Sequence, residues 1–223
     1  MKKYISAIIA VILAASVVLL VFIDGKTRPV KFGMGVVASY GACNDASAEG
    51  NGNGEAIVNV AAVLVGENGK IIKCVLDCAD SKAQFTADGK VVEAGEFKTK
   101  YEMLKDYNMV AYGGAKLEWY EQADAFANLV VGKNVDEVKA LVAENGKGTD
   151  EVINAGCTIA IADFVNVIET AVKNATDSNA TAKSTLELGV VTSQSGKDAT
   201  EEADGEIELA TTIVATALDA DKR

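Results

Sequence analysis

The stretch "GVVTSQSGKDATEEADGE", residues 189–206, restates an earlier one, "GVVASYGACNDASAEGNG", residues 35–52. Gly35, Val36, Val37 and Ser39 match Gly189, Val190, Val191 and Ser193. Dropping one residue restores the register through Asp45/Asp198, Ala46/Ala199, Glu49/Glu202, Gly52/Gly205, Glu55/Glu208 and Ala62/Ala215. A single deletion aligns the two segments. The simplest reading is an internal repeat of roughly 150 residues, one domain per copy. The alternative is a chance likeness between two acidic, Gly/Ala-rich strand entries.

Working outward, the first copy fills residues 35–175 and reads as α+β: an antiparallel sheet with packed helices. "EAIVNVAAVLVGENGKIIKCVLDCAD" is two apolar runs around Asn68-Gly69, a strong hairpin signal. Asp88-Gly89 marks a further turn and short strand. Helical spacing takes over in "AKLEWYEQADAFANLVVG". Leu117, Tyr120, Ala123, Asp124, Ala127 and Val131 lie near one stripe there, with Trp119, Phe126 and Val130 beside it. "NVDEVKALVAENG" follows, with Asn134 as cap and Gly146 as stop, then "TDEVINAG", with Thr149 as cap and Gly156 as stop. After the apolar segment "CTIAIA", Asp163 is the expected cap of a helix "FVNVIETAVKNA". Residues 176–188 read as a Ser/Thr/Asn/Ala linker. Residues 189–223 stop where the first hairpin would turn back, so they are expected to hold one strand, the truncated start of a second repeat.

Upstream, residues 27–34 read as a polar tether with the chain's single proline, Pro29. Before it, Tyr4–Ile23 runs 20 residues without a charge, the length of a membrane-spanning helix. Residues 1–26 are therefore expected to be a signal anchor, preceding the α+β body as one N-terminal transmembrane helix. Lys2 and Lys3 place the start in the cytoplasm by the positive-inside rule. The expected location is a bacterial cell membrane, single-pass, with the body extracytoplasmic and the membrane met through residues 4–23.

Net charge is −11 over 223 residues, and it is uneven. Lys2, Lys3 and Lys26 against Asp24 make the first 26 residues +2, which leaves −13 for the remainder. Such a body repels nucleic acid and anionic membrane surfaces. The chain has no histidine, which removes His-based nucleophile systems and most zinc sites. Cys43, Cys74, Cys78 and Cys157 form no CxxC, so zinc and iron–sulfur signatures are missing. Within one strand Cys74 and Cys78 would lie roughly 13 Å apart, too far for a disulfide. Any bridge would join distant segments, such as Cys43 with Cys74 or Cys78; free buried thiols are the other possibility. Acidic pairs such as Asp136-Glu137 lack calcium-loop spacing and read as solvated helix starts.

Three pieces in the right order carry a resemblance: "NGKIIKCVL" (68–76), "VGKNVDEV" (131–138) and "AGCT" (155–158). Together they resemble the FMN-binding domain family of membrane electron-transfer complexes and bacterial surface flavoproteins, over most of residues 55–175. In that family a small "SGAT" turn precedes a helix, and in covalent members its threonine is esterified to FMN phosphate. The resemblance implies Thr158 as the acceptor, with Gly156 and Cys157 in the turn, and FMN as cofactor. Here Ala155 and Cys157 replace the family's serine and alanine. Trp119 and Tyr112 are candidates to stack on the ring; a Trp-Tyr pair on an amphipathic helix is otherwise core. Two functions stay open. One is an anchored electron carrier with FMN-binding-like repeats and a redox partner protein. The other is a cofactor-free cell-surface structural or interaction repeat protein. An autonomous enzyme has less support, since no G-x-S-x-G and no convincing paired acids occur.

Overall fold

The computed structural model describes residues 30–218. The chain opens with β1 (Val30–Tyr40), β2 (Gly52–Gly66), β3 (Ile71–Phe85) and a short β4 (Val91–Val92). Six helices follow: α1 (Lys100–Met103), α2 (Met109–Gly113), α3 (Trp119–Leu129), α4 (Val135–Lys139), α5 (Asp150–Ala155) and α6 (Ala162–Lys173). A 3-10 turn, Leu104–Tyr107, joins α1 to α2. The chain ends with β5 (Thr176–Ser178), β6 (Thr185–Lys197) and β7 (Glu206–Leu218). The main sheet has the order β4-β3-β2-β1-β5, and β6-β7 forms a sheet of its own. Every pairing is antiparallel.

The Asn68-Gly69 signal becomes the β2–β3 turn. Gly69 takes φ +73, Gly66 N–H donates to the Lys70 carbonyl at 2.9 Å, and Asn68 Oδ1 accepts from Lys70 N–H at 3.2 Å. From Val60 to Val65 strand β2 is buried on both sides. A strand covered on one face alternates apolar and polar residues; this one runs apolar because both its faces are covered. On one face lie α3 and α6. Phe126, Val130, Ile161, Phe164 and Ile168 pack there on Ala61, Val63 and Ile71. On the other lies the β6–β7 hairpin, whose Leu186 meets Val30 and Leu64 and whose Val190 meets Val60 and Ala79.

Helix α6 sits close on β1 because β1 carries glycine where the two cross. A Cβ at Gly33 would strike the Ala171 carbonyl, and one at Gly35 the Val167 carbonyl.

Several expectations are corrected. The expected fold class placed a transmembrane helix before the α+β body. Tyr4–Ile23 lies outside the described residues, and among the described residues no helix is long and apolar enough to cross a membrane. The longest of them, α6, has 12 residues, where a span needs about 20. The fold class is therefore mixed α/β with a mainly antiparallel sheet. Val30–Met34, read as tether, is the first half of β1, and Val30 is buried. The linker read over 176–188 holds β5, which pairs with β1, and the start of β6. The C-terminal stretch holds two strands, not one, because the Gly/Val-rich entry that it shares with residues 35–40 is itself a strand.

Helix starts and stops also move. The buried stripe of α3 is Trp119, Gln122, Ala123, Phe126 and Ala127, and Val131 is exposed. Asp163 lies in the first turn of α6, whose N-cap is Ile161. The stops at Gly132, Gly146 and Gly156 all adopt positive φ, which glycine reaches without strain.

Candidate functional site

The turn after α5 is closed by Gly156 at φ +109, with its N–H bonded to the Ile153 carbonyl at 3.1 Å. That reversal turns Cys157 inward, fully buried, and Thr158 outward, exposed. Thr158 is held from below by Gln122 of α3. The Gln122 Oε1 accepts Thr158 N–H at 2.8 Å and the Thr158 hydroxyl at 3.1 Å. Gln122 Nε2 donates to the Leu117 carbonyl at 2.9 Å and lies 3.3 Å from Met109 Sδ. The amide is completely buried, so each of these bonds replaces a water that cannot reach it.

Glu118 joins the next segment to the same spot. Its carboxylate accepts Met109 N–H at 2.8 Å and Val110 N–H at 3.2 Å, capping α2 from across the fold. The helix lies between Asn108 and Gly114, both in the left-handed region. It exposes Val110 and Tyr112 to solvent. The structure thus gathers Gly156, Cys157 and Thr158 around the first turn of α3, with Tyr112 on the adjoining α2.

Trp119 is not available to a planar ligand. It is 5% exposed and meets Phe164 edge-on at 5.6 Å between ring centroids. The Cys157 thiol is pushed up to about 11 by burial, which keeps it protonated and inert. Three cavities, of about 680, 520 and 370 Å³, are lined by none of residues 155–158, Trp119 or Tyr112. Sequence reasoning missed Gln122. The available signal was an amide three residues after Trp119 and four before Phe126, on the face of the helix that those two aromatics mark.

A second polar cluster lies across β3. Lys100 Nζ contacts Asp80 Oδ2 at 3.1 Å and sits 5.4 Å from the Tyr107 ring centroid. The Asp77 carboxyl, raised by burial, accepts Cys78 N–H at 2.7 Å and Tyr101 N–H at 3.3 Å. All its hydrogen-bond partners are internal, and it fixes α1 to the sheet. Cys43, Cys74, Cys78 and Cys157 are all free. Among the described residues no group of three or more acidic, thiol or imidazole side chains is placed to hold a metal.

Comparison with known proteins finds no family model, no curated relative and no solved structure that matches this chain.

Proposed function

We propose that this chain is a structural or interaction protein whose working unit is a stacked pair of equivalent β-hairpins. One observation carries the reading. The residue matching found in the sequence converts the register of β1–β2 into that of β6–β7. Gly35 pairs with Ala61 and Val37 with Asn59; their counterparts Gly189 and Val191 pair with Val214 and Thr212. The faces in contact also correspond. Phe32 and Leu64 on one hairpin pack with Leu186 and Ala217, their own counterparts, on the other. Met34 and Val60 likewise pack with Leu188 and Ile213. A surface that recognises its own copy in this way is a joint between repeats.

Leu188→Asp tests it, because a carboxylate in that joint is unpaired. The expected result is rapid hydrogen exchange confined to residues 185–218, with the α3–α6 face still protected. Global unfolding in one step would mean that the hairpin is an integral layer of a single domain and not a joined repeat.

A second reading, a flavin-carrying electron module, is favoured by the exposed Thr158 hydroxyl held beside Gln122. When bound, FMN would supply the electron chemistry and the protein its position. The purified protein, mixed with FAD and a flavin transferase that breaks the FAD pyrophosphate, joins the FMN phosphoryl group to the Thr158 hydroxyl and releases AMP, would then show flavin absorbance that survives denaturation and is lost in Thr158→Ala. A colourless product removes this reading and leaves the first.

A further inference from the structure

We infer that the edge of β7 facing away from β6, unpaired among the described residues, is a strand-addition site, and that its occupant is an extended segment of β3 type lying antiparallel to β7 and over β1. The inference rests on the hairpin equivalence above and adds the partner's chemistry.

The stacking brings counterpart residues together: Phe32 and Leu64 with Leu186 and Ala217, and Met34 and Val60 with Leu188 and Ile213. Strand β6, the counterpart of β1, has its closest backbone approach to β3, while Leu186 and Leu188 also reach Val30, Phe32 and Met34 of β1. Exchanging the two hairpins puts a strand on the outer edge of β7, which is the counterpart of β2. That strand would lie over β1 as β6 lies over β3. In the main sheet the matching edge of β2 is paired with β3 from Gly52 to Val65. On β7 the matching edge carries no strand among the described residues. That edge runs the length of β7, from Glu206 to Leu218, with every second residue turning its N–H and C=O outward. Long exposed edges of this kind recruit strands.

The floor of the site is uncovered in the same place. Val36 pairs with Val60 and shares its face, yet Val60 is fully buried while Val36 is 38% exposed. Tyr40, at the end of β1, is 89% exposed. The cavity of about 680 Å³ opens alongside, where Tyr40 and Ala56 face Ile207 and Leu209 of β7. Strand β3 shows what fits: on its hairpin-facing side it presents two small apolar residues four apart, Val75 and Ala79.

The test uses a labelled peptide with the sequence of residues 71–85, both cysteines replaced by serine, titrated into the full chain. Saturable binding is expected by fluorescence anisotropy. Val36→Lys, an exposed position that leaves folding intact by circular dichroism, should weaken it at least tenfold. Val191→Lys, on the opposite face of β6 and 66% exposed, should leave it unchanged. No binding by the unmodified protein overturns the proposal. So does binding indifferent to Val36→Lys, which would report exchange into the main sheet. A dimer that forms through β7 and is lost with Val36→Lys would make a second copy the occupant and overturn the β3-type assignment. If Leu188→Asp unfolds the whole chain while the unmodified protein binds the peptide, the repeat reading fails and the strand site stands.

Discussion

Gly35 passes beneath the backbone of α6 so closely that a Cβ on it would overlap the Val167 carbonyl. Its counterpart Gly189 has only the Val214 carbonyl near, at 4.0 Å. The same letter in the repeat therefore has two energetic meanings. Gly35→Ala should cost about 1–3 kcal/mol, since helix and sheet must part. Gly189→Ala should be near neutral or slightly stabilising. Urea unfolding of the two variants, compared at equal m-value, checks this.

The Gln122–Thr158 contact predicts an asymmetry. Gln122→Leu preserves volume but strands the Thr158 N–H and the Leu117 carbonyl without a partner. It should cost about 1–3 kcal/mol, the penalty for buried unpaired polar groups. Thr158→Val removes only the hydroxyl bond and keeps the backbone one, so its cost should be smaller. Thermal unfolding of both variants measures the order; a larger loss for Thr158→Val would contradict the geometry.

The sequence made the β2–β3 hairpin legible because Asn68-Gly69 specifies its turn locally. It made the likeness of the β1 and β6 strands legible because Gly35 and Gly189 sit in matching frames. It did not show that Val30–Met34 is strand, since Lys31 and Gly33 interrupt Val30, Phe32 and Met34 in a run too short to tell tether from strand. The stripe of α3 was misread because Gln122 breaks its apolar pattern: a buried amide looks exposed until its partners, Leu117 and Thr158, are placed by the fold. Gly156, read as a helix stop, marked the turn before Cys157 and Thr158. The resemblance could not give the depth of Trp119, which depends on Phe164, 45 residues away in the chain.

Asp77 sets a pH dependence of unusual sign. Burial raises its carboxyl above the ordinary value, and the hydrogen bonds it accepts from the Thr99 side chain and from the Cys78 and Tyr101 N–H groups only partly offset that. The folded state then binds a proton more tightly than the unfolded one. Stability from this group is greatest below the unfolded value of about 3.9 and is lost as pH rises through the raised folded value. Asp77→Asn keeps an acceptor for both N–H groups without the charge. It should raise the melting temperature by about 2–4 °C at pH 7 and by much less at pH 3.5. Melting curves at the two values decide it; an equal gain at both would remove the charge from the explanation.

The thiols should divide one against three. Cys43 is exposed, whereas Cys78 and Cys157 are buried and Cys74 packs against the helix-side core. Burial pushes Cys74 and Cys78 up to about 12 and Cys157 to about 11, so almost no thiolate exists at pH 8 to attack a reagent. Mixing the native protein with an aromatic disulfide reagent should release one equivalent of chromophore quickly and three more only in denaturant. Cys43→Ser should abolish the fast phase. A fast phase of two equivalents would place Cys74 in contact with solvent. Fewer than four in denaturant would reveal a disulfide that the free geometry does not contain.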